Sequence, residues 1–314
     1  MTKRISIINF KGGVGKTALA LHLAAGLERY HKERVLLVDV DHQSSLSLTI
    51  LEPKAWDKAV EEGKTLNAIF EHLTTPGTKL PGKEIIHKRP YPHYYPNLDL
   101  IPAALELDET EIELTSTTIG DPMVSEWTKR TLICKWIEEN EIDEDYNYII
   151  FDSPPATKLV TQNAIAASHA YVVPTIPDAV STRGIPHLIG RMFRKIDAKL
   201  ADSAYLLKRK KKSLFSSYVP ETKLAAIVVF KIKTSGPSHT GYTLDHSRHL
   251  DSIRNRYPND VIEPYIVDGV GVPECMARGF PVYDYPNTQN VRSRGFVDRF
   301  KKITTQIKQR VDAL

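Results

Sequence analysis

Ile5-Ser6-Ile7-Ile8-Asn9-Phe10-Lys11-Gly12-Gly13-Val14-Gly15-Lys16-Thr17 runs from an apolar stretch into a glycine-rich turn, and Leu19, Leu23 and Leu27 follow at four-residue spacing. A short apolar strand, a glycine loop and a helix in that order form a phosphate-binding unit. Glycines let the backbone curl until consecutive N–H groups converge on phosphate oxygens. The helix N-terminus adds free donors and a favourable dipole. In this setting Lys16 supplies charge to the β- and γ-phosphates and the Thr17 hydroxyl is a Mg²⁺ ligand. The usual spelling carries a glycine five places before Gly15; here that position is Phe10, and an extra lysine, Lys11, stands at the head of the loop.

Outward from the loop, short apolar runs alternate with helical stretches, which predicts a parallel sheet flanked by helices. The expected strands are 4–9, 35–39, 98–101, 148–152, 170–174, 224–230 and 261–265, with helices over 16–30, 182–200 and 291–314. Several of these strands are apolar throughout, as strands covered on both faces are. Two strands end in acids. Val35-Leu36-Leu37-Val38-Asp39 continues into Val40-Asp41-His42-Gln43, and Tyr148-Ile149-Ile150-Phe151-Asp152 continues into Ser153-Pro154-Pro155-Ala156. Carboxylates at the C-terminal ends of parallel strands lie at the edge where ligands bind. Asp152 fits a residue holding Mg²⁺ through water.

The loop resembles the deviant Walker A signature of the ParA/MinD superfamily, and the resemblance extends over nearly the whole chain. Asp39-Val40-Asp41-His42-Gln43 is similar to that family's first switch, with His42 where a proline is usual. Ser153-Pro154-Pro155 and Thr161-Gln162-Asn163-Ala164 resemble the second switch and its helix. Asn97–Pro102, Val172-Val173-Pro174, Pro177-Asp178, the helix 184–200, and Glu274 with Gly279-Phe280-Pro281 resemble later segments. Ile266-Val267-Asp268 departs from the usual Ile-Pro-Arg, and Ala18 replaces a frequent hydroxyl residue.

The resemblance implies one α/β P-loop domain over 1–314, a mostly parallel twisted sheet with helices on both faces, and surface insertions near 53–96 and 201–221. Residues 76–96, rich in Pro, Gly, His and Tyr, read as a surface excursion. It further implies a Mg²⁺-dependent ATPase, slow without its partner. Lys11, Gly12, Gly13, Val14, Gly15, Lys16, Thr17 and Ala18 would hold ATP. Thr17, Asp39 and Asp152 would serve the metal, and Lys11, Lys16 and Asp41 the catalysis. Lys11 would reach across a homodimer to the partner's nucleotide, and Asp41 would handle the attacking water.

The chain has 42 Lys+Arg against 38 Asp+Glu, and the charge is unevenly spread. Residues 181–314 hold 24 basic and 12 acidic side chains, residues 1–180 hold 18 and 26. That asymmetry suggests a basic face able to meet a polyanion. Arg191, Arg194 and Lys195 share a helical face in the region where ParA proteins contact DNA, and Lys208-Arg209-Lys210-Lys211-Lys212 follows in an expected loop. Such contacts bind phosphates without reading bases. The expectation is a cytoplasmic, nucleoid-associated partition or positioning ATPase. Nonspecific DNA and a ParB-like cargo adaptor are its partners, and a plasmid, chromosome or protein assembly its cargo.

Three other readings are weaker. A MinD-like membrane regulator needs a free amphipathic C-terminus, whereas Phe296, Phe300, Ile303, Ile307 and Val311 make a narrow stripe suited to packing. An iron–sulfur reductase or scaffold needs paired cysteines, and Cys134 and Cys275 lack that spacing. A non-hydrolysing scaffold would not need the acidic residues. No apolar run approaches a membrane span and no secretory leader is expected. With ten residues before Lys11, no helix-turn-helix domain is expected ahead of the loop.

Overall fold

The alternation of apolar strands and helices resolves into a seven-stranded sheet in which every neighbouring pair is parallel. The computed structural model describes residues 1–91, 94–155, 158–235 and 241–314. In chain order the strands are β1 (Lys3–Ile7), β2 (Val35–Asp39), β3 (Leu98–Ile101), β4 (Tyr148–Asp152), β5 (Ala170–Thr175), β6 (Lys223–Val229), a two-residue pair β7 (Thr234–Ser235) and β8 (Gly241–Tyr242), and β9 (Val261–Ile262). The sheet order is β3-β2-β4-β1-β5-β6-β9, and β7-β8 form a separate antiparallel hairpin. The chain leaves β1 to one side and returns to its other side with β5. The turn after β1 therefore sits at a switch point of the topology, where open α/β sheets bind ligands.

Alternate residues along the strands enter two cores. Ile5, Ile7, Leu37, Leu100 and Ile150 face one layer of helices; Leu36, Val38, Ile101, Ile149 and Phe151 face the other. Burial on both faces is why these strands read as unbroken apolar runs. Helix α1 (Lys16–His31) packs on the first face against the C-terminal helix Phe296–Asp312. A Cβ at Gly26 would stand 2.7 Å from the Thr304 hydroxyl, so the glycine permits the close crossing. Fully buried His22 of α1 stacks on Phe300 with ring centroids 4.0 Å apart. Its Nε2 accepts from the Val282 amide at 3.1 Å and its Nδ1 donates to the Ala18 carbonyl at 2.6 Å. Burial pushes the imidazole down to about 4, so it is neutral and this tautomer is fixed.

Differences from the expected elements have local causes. The terminal helix breaks into Gln289–Arg292 and Phe296–Asp312 at Gly295, whose φ is 59°. The helix expected over 182–200 is longer. It comprises Ala179–His187, a π-helical turn Leu188–Phe193 just after the internal Pro186, and Arg194–Arg209. Lys208 and Arg209 consequently end that helix instead of lying in a loop. β9 stops at Ile262, short of the expected Tyr265. The stretch 76–96 is less superficial than its composition suggested: Ile85, Ile86, Tyr91 and Tyr95 are buried. Tyr95 bonds Asp284 at 2.8 Å and Tyr91 bonds the Gly279 carbonyl, tying this segment to the C-terminal region; Pro92 lies outside the described residues. Among the described residues no helix is long and apolar enough to cross a membrane.

Candidate nucleotide site

The glycine loop connects β1 to α1. Gly13 (φ 71°) and Gly15 (φ 95°) take the left-handed conformation that only glycine adopts freely. Gly15 is also pressed against Phe230, since a Cβ there would come within 2.6 Å of the ring. The Asn9 side chain stiffens the loop entrance. Its Oδ1 accepts from the Lys11 amide at 3.0 Å, and its Nδ2 donates to the Pro174 carbonyl at 2.8 Å. The Lys16 ammonium lies inside the loop, donating to the Lys11 carbonyl at 3.2 Å. Burial lowers its pKa, opposed by Asp152 and Asp41.

The structure brings the two acidic strand ends side by side. Asp39 and Asp152 are register partners on adjacent parallel strands, both fully buried. Asp39 is committed to neighbours: Oδ1 accepts from the Asp41 amide at 3.2 Å, and Oδ2 from the Ser47 amide at 2.9 Å and hydroxyl at 2.6 Å. Ser47 lies on helix α2 (Ser45–Ile50). Neither oxygen of Asp152 accepts a hydrogen bond of normal geometry. Burial raises Asp152 well above the usual carboxylate range, with the Asp39 charge adding to the effect and the neighbouring Thr17 hydroxyl opposing it. Burial likewise lifts Asp39 to about 7. The two titrate together, and the three bonds to Asp39 favour leaving the shared proton on Asp152.

An orphaned buried carboxylate beside a threonine hydroxyl fits a divalent cation. Thr17 and Asp152 are the residues that would hold Mg²⁺, which would supply charge neutralisation for phosphate oxygens. Asp39, expected in the metal set, instead positions Ser47 and Asp41. Asp41 lines the cleft, and its Oδ1 accepts from the Gln43 amide at 3.0 Å with His42 Nδ1 at 3.7 Å.

From the loop a cleft of about 440 Å³ extends over Gly12, Gly13, Gly15, Lys16, Thr17 and Ala18. Phe230, Lys231, Ile266, Val267, Val272 and Met276 line it as well, with the Phe230 ring packed against Gly15. This apolar lining suits a nucleoside. Sequence reasoning missed it, because its residues come from three segments that carry no shared motif. Lys11 does not reach into solvent. Its ammonium is paired with Asp178, which also N-caps the helix 179–187 by accepting from the Ser181 amide at 2.8 Å.

The basic residues lie apart from the cleft-lining set. Arg191, in the π-helical turn, and Arg194 and Lys195 are exposed, while Phe193, Ile196 and Leu200 face the core. His187 and Arg183, one and two turns earlier, are exposed as well. In the second cluster Lys208, Arg209, Lys211 and Lys212 are exposed, but Lys210 is paired with Asp121 at 2.6 Å.

Comparison with known proteins agrees with this architecture. Residues 2–204 match the AAA_31 family, described as an AAA domain. A ParA family protein of Chlamydia muridarum is 31% identical over 191 residues, covering 59% of this chain and 63% of that one. The sporulation initiation inhibitor protein Soj of Bacillus subtilis is 32% identical over 189 residues, covering 60% and 64%. The alignments thus span less than two thirds of these curated relatives. Among solved structures, an ATP complex of an aspartate-to-alanine variant of McdA from Cyanothece superposes with a TM-score of 0.67 at 16% identity. That superposition covers 98% of this chain and 96% of the other.

Proposed function

This chain belongs to the AAA_31 family and is of ParA type, and on that premise we propose that it is an ATP-dependent partition or positioning ATPase. ATP lies with its triphosphate in the glycine loop and its base between Phe230 and the Ile266–Met276 segment. Lys16 binds the β- and γ-phosphates. Thr17 and Asp152 hold Mg²⁺, and Asp41 orients the attacking water, its own position fixed through Asp39. Two copies close around nucleotide, and Lys11 of each copy completes the other's pocket. The dimer presents two sets of Arg191, Arg194 and Lys195 to DNA phosphates, so weak single-copy contacts combine. A cargo-bound adaptor stimulates hydrolysis and release, and repeated cycles move the cargo within the nucleoid region of the cytoplasm.

The observation that carries the reading is the convergence of Lys16, Thr17, Asp41 and Asp152 on one loop, with an unpartnered buried carboxylate at its base. ATP bound by the McdA relative of the same fold supports the choice of nucleotide. The membrane-recruited alternative gains no support, because Phe296, Phe300, Ile303, Ile307 and Val311 are buried. Light scattering with and without Mg²⁺·ATP tests the proposal. Wild type should double in mass with ATP, Lys16→Ala should stay single, and Asp41→Ala should double and stay double without releasing phosphate. An Asp41→Ala variant that hydrolyses ATP at the wild-type rate refutes the switch assignment.

A further inference from the structure

Lys231 follows β6 and carries an uncommon backbone for a residue with a side chain, with φ at 52°. A non-glycine residue held in the left-handed region is strained, and such residues cluster at functional sites. Phe230, just before it, is the ring pressed against Gly15, and its amide donates to the Thr175 carbonyl at 2.7 Å. The turn therefore projects Lys231 over the glycine loop. Its ammonium donates to the Gly13 carbonyl at 2.9 Å, and the residue lines the cleft together with the glycine loop.

The consequence follows from the planar trans peptide. Across such a unit the carbonyl of one residue and the N–H of the next point in opposite directions. An ammonium that holds the Gly13 carbonyl on the Lys231 side turns the Val14 N–H to the opposite side of that peptide. Lys16, inside the loop, holds the Lys11 carbonyl two peptides earlier at 3.2 Å and so draws that carbonyl inward. Lys16 must turn to the phosphates when nucleotide binds. Lys231, reaching the loop from outside, can stay.

We propose that Lys231 is a positioning residue for the triphosphate: its ammonium holds the Gly13–Val14 peptide in the orientation that binds phosphate. This rests on the nucleotide-binding reading given above and adds to it a residue outside the loop motif, 218 positions from the carbonyl it holds. Glycine is the residue least able to hold its own conformation, so a glycine loop gains most from an external tie.

Lys231→Met keeps the aliphatic wall and removes the charge; Lys231→Arg keeps a cation able to reach the carbonyl. Binding of Mg²⁺·ATP, tripolyphosphate and adenosine is measured by calorimetry for wild type and both variants, with Lys16→Ala as the reference for a lost phosphate site. Loss of one charge-assisted bond predicts ATP and tripolyphosphate bound about tenfold more weakly by Lys231→Met. Adenosine affinity should be unchanged and Lys231→Arg should bind within about twofold of wild type. Unchanged thermal melting without nucleotide would separate this from misfolding. The proposal is overturned if Lys231→Met binds tripolyphosphate as wild type does, or if it loses adenosine and tripolyphosphate equally. If Lys231→Arg is as weak as Lys231→Met, it fails as well. A wild-type chain that binds no ATP would sink the nucleotide reading itself, whereas wild-type binding matched by Lys231→Met sinks only the role of Lys231.

Discussion

Asp178→Asn should strengthen ATP-dependent dimerisation. In the isolated chain Lys11 is paired with Asp178, both side chains 28% exposed. Burial alone would raise the Asp178 pKa, but the hydrogen bond from Lys11 and those from Ser181 outweigh it and hold the carboxyl below its usual value. If Lys11 serves a partner's nucleotide, this ion pair must first open. A partly exposed pair contributes about 1 kcal/mol after solvent screening. Asparagine caps a helix as well as aspartate does, so the substitution removes the charge and spares the cap on Ser181. Losing about 1 kcal/mol from each of two separate copies corresponds to about fivefold per copy and about 25-fold in the dimerisation constant. Sedimentation velocity over a protein titration, with a non-hydrolysable ATP analogue, reads that constant directly. The nucleotide-free variant should also melt slightly earlier than wild type. A variant that dimerises no better than wild type, or worse, would show that Lys11 does not have to leave Asp178, and the proposed cross-dimer role of Lys11 would fall with it.

Three further outcomes are expected. Asp39 has its folded pKa lifted to about 7 against about 4 when unfolded, so the folded chain holds an extra proton in that interval. That contribution to stability is complete below about pH 4 and is lost as pH rises through about 7. Asp152 is raised further still, and Asp152→Asn removes the proton that it keeps, so the difference in metal-free melting temperature between wild type and Asp152→Asn should widen with rising pH in favour of the variant; a flat difference refutes the raised Asp152. Gly15→Ala should lose nucleotide binding and destabilise the fold by about 2 kcal/mol or more, because its Cβ meets Phe230 at 2.6 Å and its φ is 95°. Phe230→Leu should not restore it, and normal ATP binding by Gly15→Ala would refute the loop geometry. For DNA, replacing Arg191, Arg194 and Lys195 by alanine should lower the salt dependence of duplex binding by about 2 to 3 log–log units per copy. Lys210→Ala should change little, since Asp121 already occupies that charge. Anisotropy with a random duplex at several salt concentrations decides, and equal effects of the two changes would refute this assignment of the basic face.

The glycine loop was legible because its chemistry is contiguous: strand, turn and helix occupy residues 3–31, and Gly13 and Gly15 answer backbone demands with positive φ. The parallel sheet was legible because burial on both faces leaves an unbroken apolar run, as in Tyr148-Ile149-Ile150-Phe151. What escaped was set by contacts distant in sequence. Lys11 and Asp178 are 167 residues apart, and nothing in either neighbourhood announces the pair. The resemblance gave Asp39 a supporting place in the magnesium shell, but it did not announce that Ser47, eight residues on in α2, bonds the carboxylate through its amide and hydroxyl. Pro, Gly, His and Tyr made 76–96 look superficial. Composition could not tell that Tyr91 and Tyr95 had partners at Gly279 and Asp284.

The site gathers buried titratable groups whose protein partners are incomplete. Lys16 is buried far enough to lower its pKa, Asp152 is buried with neither oxygen bonded, and Asp39 beside it repels the same charge. Each arrangement costs stability, since a desolvated ammonium and a carboxyl made to keep its proton are both displaced from their ordinary states. Under the proposed function, phosphate oxygens would pair with the ammonium and a cation would replace the proton on Asp152. Binding should therefore raise stability through relief of desolvated charge as well as through new contacts. The rigid parts of the loop, with Phe230 against Gly15 and Asn9 and Lys231 holding its backbone, are those that a ligand need not move. The parts held by ion pairs, Lys11 with Asp178 above all, are those that nucleotide and a second copy can exchange for better partners. Asp178, the partner of Lys11, also caps the first turn of the helical stretch that carries Arg191, Arg194 and Lys195, so under the proposed function an exchange of partners at Lys11 would be felt at that stretch.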